Sequence, residues 1–186
     1  VAGRLVSAPM ICPSELKQPD LDWSVIWERA RMKGISNEAR SFLFLLLNDL
    51  LPTKERQVRT TRNVVSSNCT NCTREVPDSS LNHTFSACPQ TEEVSSWLID
   101  KINPLVPEIS PPDLVRLQFE TYNEEDTVVV TWLIGETLRL AWERRKVGEN
   151  ICLQQIKSKL KVKAEWMAKS QKCASAGRKL VLILEP

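Results

Sequence analysis

A chain of 186 residues, 42% apolar and 26% charged, can bury a real core in one or two domains. A net charge of +2 excludes a strongly basic protein, and the longest apolar run, Phe42 to Leu47, is far too short to span a bilayer. Only 5 glycines and little strand-like alternation favour an all-α chain, and six tryptophans suggest several anchored helix contacts.

Residues 1–20 carry Pro9, Pro13 and Pro19 with few periodic apolars and a lone Cys12. They read as a linker from a missing upstream region. The chain begins with Val and shows no signal-peptide pattern, so a fragment or mature piece without a targeting signal is expected. Asp22 then reads as an N-cap for a helix carrying Trp23, Ile26, Trp27 and Ala30, closed at Lys33-Gly34. The next helix opens at Ser36 and is expected to run to Leu51. Its Phe42, Leu43, Leu46, Leu47 and Leu50 make it the expected central core helix. Pro52 stops it, and Thr53 caps a short basic helix with Lys54, Arg56 and Arg59.

The loop that follows, residues 66–92, holds Cys69, Cys72, Cys88 and the only histidine, His83. Two residues separate Cys69 from Cys72, ten separate Cys72 from His83, and four separate His83 from Cys88. Zinc takes four soft or borderline ligands in a tetrahedron, and two short-spaced pairs brought together across a turn supply them. An occupied site would also help fold the segment. Two other readings stay open: a disulfide from Cys69 to Cys72 or Cys88, and unrelated loop thiols. Three N-glycosylation sequons overlap these residues, at Asn68, Asn71 and Asn82. They keep alive a secreted glycoprotein whose six cysteines form a disulfide framework.

Past Cys88-Pro89, a helix with Trp97, Leu98 and Ile102 ends at Pro104 and Pro107, and a short one restarts at Ser110 with Leu114, Leu117 and Phe119. The acids of Asn123–Asp126 read as a solvated turn at the N-terminus of a long helix through Trp132 to Trp142 and Arg144-Arg145-Lys146. A last long helix is expected over Glu149 to Ser170, with Leu153, Ile156, Leu160, Ala164 and Met167 inside and its lysines on the surface. Ten Lys or Arg against three Glu between Arg139 and Lys172 make either a phosphate-backbone footprint or a solvated helix face. The apolar tail Leu180–Leu184 closes the bundle or belongs to an interface. Cys12, Cys152 and Cys173 read as small inert thiols. The expected fold is an irregular all-α helical bundle with an inserted CCHC zinc-knuckle-like loop. No Gly-rich phosphate loop, nucleophile–histidine pair or strand-borne carboxylate pair is visible, so enzyme activity is not expected.

Trp23-x3-Trp27, the Phe42-Leu-Phe-Leu-Leu-Leu helix, Leu51-Pro52-Thr53, Cys69-x2-Cys72, His83-x-Phe85-x2-Cys88-Pro89 and Trp97 occur in that order. This order resembles the zinc-binding region that follows the polymerase in non-LTR (LINE-type) retrotransposon reverse transcriptases. The stretch from Asp113 to about Leu184 is similar, less specifically, to the C-terminal extension of such reading frames. The resemblance implies a structural Zn2+ on Cys69, Cys72, His83 and Cys88 in a domain spanning 21–105, followed by an extension over 106–186. It implies template RNA or target DNA as partner, an intracellular location, and polymerase and endonuclease residues that lie outside this chain. Lys54, Arg56, Arg59 and Arg74 would contact phosphates, and Phe85 would either stack on a base or pack under the zinc loop. The alternative is a protein-interaction module that docks its tail on the upstream polymerase.

Overall fold

A computed structural model describes residues 20–61, 66–72, 75–78, 83–85, 87–106 and 108–185. These residues form eight helices and no strand: α1 (Trp23–Ala30), α2 (Asn37–Leu47), α3 (Lys54–Thr60), α4 (Pro89–Ile102), α5 (Pro111–Arg116), α6 (Glu124–Lys146), α7 (Leu153–Lys169) and α8 (Ala174–Leu184). The all-α expectation holds. None of these helices is long and apolar enough to cross a membrane.

The helix starts follow the capping chemistry written in the sequence. Asp22, Ser36, Thr53, Ser110 and Asn123 each accept a hydrogen bond from a backbone N–H of the first turn. α6 begins with Glu124, Glu125 and Asp126 and ends with Arg144, Arg145 and Lys146, so both ends complement its dipole. α2 stops at Leu47, short of the expected Leu51. The Asn48 amide donates to the Phe44 carbonyl, and Asp49 turns left-handed at φ 56°. The Leu50 N–H then reaches back to the Leu45 carbonyl. These bonds satisfy the helix's last carbonyls before Pro52.

α6 is the axis of the fold. Its residues from Val129 to Trp142 are buried all round, as expected only of a helix enclosed by others. α1, α2, α4, α7 and α8 all pack against it. α2 crosses closely at Gly135, where a Cβ would meet Leu43 Cδ1 at 3.2 Å. One hydrophobic core takes Phe42, Leu43, Phe85 and Leu98 together with Leu114, Leu133, Leu138 and Leu160. Residues on both sides of the expected 105/106 division therefore share a single interior.

The tail resolves toward bundle closure. It forms α8, which lies back along α7 and buries Leu180 completely while leaving Leu182 exposed. The turn between the two helices is tight enough that a Cβ on Gly177 would sit 2.2 Å from the Ala168 backbone nitrogen.

The Asn123–Asp126 segment departs from expectation. Asp126 is buried rather than solvated. It accepts from the Asn123 amide at 3.0 Å and pairs with Lys179 of α8. A carboxylate at a helix start is favoured by the dipole, and the closing tail then covers it with a cation.

Candidate metal centre

The first half of the centre is built from a short reversal of the chain. The Cys69 N–H donates to the Val76 carbonyl at 2.9 Å, and the Asp78 N–H donates to the Ser67 carbonyl at 2.8 Å. Asn68 and Pro77 form an isolated antiparallel bridge between these bonds. The chain therefore leaves and returns past the same point, and Cys69 and Cys72 sit at the bend. The second half is a single wide turn. The N–H groups of Ala87 and Cys88 both donate to the His83 carbonyl, at 3.0 and 2.8 Å. A bond spanning five residues is wider than an α-turn, and it brings His83 and Cys88 to one side.

α4 holds that turn in place. Cys88 is its N-cap and Pro89 its first residue, the position where a missing N–H costs least. The Thr91 hydroxyl meets the Thr84 carbonyl at 2.8 Å and the Cys88 carbonyl at 3.0 Å. The Ser95 hydroxyl donates to the Phe85 carbonyl at 2.9 Å. These two side chains satisfy carbonyls that the irregular turn leaves open.

The four expected ligands come together. The sulfurs of Cys69, Cys72 and Cys88 and a ring nitrogen of His83 all lie within 4.8 Å of one another. The Cys72 Sγ to His83 Nε2 distance is 3.5 Å. A tetrahedral zinc with ordinary Zn–S and Zn–N bonds has an S–N edge of roughly 3.6 Å, so this edge already has the required length. The cluster can hold a metal ion, and three thiol donors with one imidazole suit a soft or borderline one. None of Cys69, Cys72, Cys88, Cys152 and Cys173 is in a disulfide. In the third sequon, His83 and Thr84 are buried, and the Thr84 hydroxyl donates to Asp78.

Sequence reasoning missed the residue that locks the centre to the rest of the molecule. Arg145, in the last turn of α6, donates from Nη1 to Cys88 Sγ at 3.4 Å. Its Nη2 donates to Cys69 Sγ at 3.0 Å and to Asp78 Oδ1 at 2.6 Å. Asp78 also accepts from the Thr84 hydroxyl at 3.0 Å and from the Lys54 N–H at 3.1 Å, at the start of α3. Only 2% of the Arg145 side chain and 7% of that of Asp78 are exposed. Burial works against the guanidinium's charge, yet Asp78 and the two sulfurs outweigh it and hold its pKa above the ordinary value. Burial likewise pushes the Cys69 thiol up, but the Asn71 N–H and Arg145 overcome it and leave the pKa below the ordinary 9.0.

A signal for Arg145 was present. It follows Leu138, Ala141 and Trp142 at steps of seven, four and three, so it belongs to the buried stripe of α6 rather than to a basic surface patch.

The expected nucleic-acid residues fare differently. Phe85 is 1% exposed, edge-on to Phe42 at 5.8 Å and beside Trp142 at 6.2 Å. It packs under the metal loop and cannot stack on a base, because the core encloses it. The Arg56 guanidinium donates to the Asp49 carbonyl at 2.9 Å, and Arg59 is exposed but paired with Glu55. Lys54 is half-buried and lines a polar cleft of about 220 Å³ with Gln57, Asn71, Arg145 and Lys146. Arg74 and Cys12 lie outside the described residues. No protein-family model, curated protein or solved structure matches the chain.

Proposed function

We propose that the chain is a zinc-stabilised, nucleic-acid-binding accessory region with no catalysis of its own, as its resemblance to the zinc-binding region of non-LTR reverse transcriptases implies. Three thiolates and one imidazole suit Zn2+ over harder cations. A zinc gripped by four protein ligands has no open position for water, so its part is structural. Cys69, Cys72, His83 and Cys88 would hold it, while Arg145 offsets the excess negative charge of three thiolates around a divalent ion.

The observation that carries the nucleic-acid reading is the polar cleft beside the centre. Lys54 and Lys146 line it and take part in none of the ion pairs among the described residues. Asp78, its one acid, is already engaged by Arg145. Asn71 and Gln57 add neutral hydrogen-bonding groups at the rim. Cations free to meet phosphates, held beside a rigid metal loop, are what backbone binding needs.

Metal analysis of the purified chain should find one zinc per molecule. Filter binding should find RNA or DNA affinity at low salt that falls steeply as salt rises. Replacing both Lys54 and Lys146 by Ala should weaken it uniformly across sequences. Absence of affinity at low salt removes the reading.

A further inference from the structure

The lysines of α7 divide into two sets. On the inner side, Lys163 donates to the buried Glu136 at 2.8 Å, and Lys157 lies 5.5 Å over the Trp97 ring. Their charges are used within the molecule. Lys159 and Lys161 are exposed and join no ion pair among the described residues, and Lys169 lies 5.9 Å over the Trp166 ring. At 100° per residue, Lys159, Val162, Trp166 and Lys169 fall within an arc of about 80°, while Lys161 lies about 80° beyond its edge, past Glu165. Lys159 and Lys169 stand roughly 15 Å apart along the axis.

Two apolar side chains sit in that arc. Trp166 is 73% exposed and Val162 is 54% exposed, one turn apart. The helix does not need them for its own packing, because Leu153, Ile156, Leu160, Ala164 and Met167 already fill its core face. Glu165 is the only acid on α7. The exposed Trp166, with Lys169 over one side of its ring, leaves a flat surface for a base, and the exposed ammonium groups of Lys159 and Lys169 supply charges for the phosphates. A membrane surface fits less well. A helix that binds lipid inserts a broad apolar face, and here that face is buried in the protein.

We propose that the outer face of α7 is a binding surface for single-stranded nucleic acid, with a base stacked on Trp166 and the backbone running along Lys159 and Lys169. It deepens the nucleic-acid reading above, on which it rests, by adding α7 as a main contact beside the cleft at Lys54 and Lys146. In α3, Arg56 is bound to a backbone carbonyl and Arg59 to Glu55, which leaves Lys54.

The test uses the full chain and fluorescently labelled oligouridylate and oligothymidylate of about ten nucleotides, within the usual site size for such surfaces. Trp166→Ala should weaken binding by about 5- to 150-fold, the range for losing one stacked base, and Trp166→Phe should restore most of it. The double variant K159Q/K169Q should lower the slope of affinity against salt by about 1.4, near 0.7 for each lost phosphate contact. All these side chains are exposed, so unchanged melting should confirm that the variants fold. If wild type binds while every α7 variant binds equally well, the α7 surface is wrong and the wider reading survives through Lys54 and Lys146. If wild type binds neither oligonucleotide at low salt, both fall. If Trp166→Ala abolishes sedimentation with phosphatidylserine vesicles but leaves oligonucleotide binding intact, the surface belongs to lipid and the proposal is overturned.

Discussion

Two buried charge clusters sit nine residues apart on α6, and they are built in opposite ways. At Arg145 a cation lies at the centre, and its partners are Asp78 and two sulfurs from an irregular loop. At Glu136 an anion lies at the centre, fully buried, and its partners are the Ser36 hydroxyl, Arg139 and Lys163. The second cluster ties α6 to the start of α2 and the middle of α7, which already pack on it through apolar side chains. The first ties α6 to a segment with one isolated β-bridge and a single wide turn. Regular helices bring their own hydrogen bonds and need ions only as a supplement. The metal loop brings few, so its place depends on the guanidinium behind it and on whatever ion its four ligands hold.

Removing the metal should therefore separate the two regions most sharply. Structural zinc in isolated finger peptides is worth about 10–16 kcal/mol, comparable to the whole stability of a domain. Chelation, or Cys88→Ser, should drop zinc content from one per chain to none and lower the melting temperature. Amide-exchange protection should vanish at Cys69, Asp78, Ala87 and Cys88, whose N–H groups are bonded within the loop, while α6, α7 and α8 keep most of theirs. A native protein that carries no zinc would sink this prediction outright.

Arg145→Met should come next, at about 3–5 kcal/mol, the usual cost of leaving one member of a buried ion pair alone. Among the described residues Asp78 pairs with no other cation, and it would keep only the neutral hydrogen bonds from Thr84 and the Lys54 N–H. Adding Asp78→Leu to Arg145→Met should recover part of that loss. Chemical denaturation of the two single variants and the double gives the coupling, and strictly additive effects would mean the pair is not coupled. Glu136→Met should cost less, about 1–3 kcal/mol. Arg139 keeps Glu143, and Lys163, with a third of its side chain exposed, can turn to water. If Glu136→Met proves the more damaging of the two, the contrast between the clusters is reversed.

Part of this was legible in the sequence. The four ligands stand in short pairs whose spacing survives any loop conformation, and the caps at Asp22, Ser36, Thr53 and Asn123 are local chemistry. Phe85 was ambiguous because the motif fixes its place beside the metal but not which way it faces. That depends on Phe42 and Trp142, which are far away in the chain. Arg145 looked like a member of a charged surface because charge counts ignore direction, and Glu136 falls outside the counted stretch from Arg139 to Lys172. Their positions on a helix buried all round gave the better clue, since a charge on such a helix must have a partner. The partners themselves, Asp78 and Lys163, lie 67 and 27 residues away, and only the packed fold brings them in.

The smallest expected effect comes from a pair of aspartates that do the same job in different settings. Asp78 caps α3 at Lys54 from a distance, inside the metal cluster. Asp22 caps α1 locally and in full contact with water. It accepts from the Ser24 hydroxyl at 2.6 Å and from the Ser24 and Val25 N–H groups at 3.1 and 3.2 Å. The Ser24 hydroxyl first, then the Val25 N–H, hold its pKa below the ordinary 3.8. A depressed acid stabilises the folded form fully above its unfolded pKa, and that help is lost as pH falls through the lower folded value. Backbone NMR of α1 should therefore stay native down to about pH 4 and fray only below it. Asp22→Asn keeps the cap and removes the proton, so it should flatten this response while leaving the loop at Asp78 unchanged. Fraying that persists in Asp22→Asn at the same pH would assign the transition to another acid.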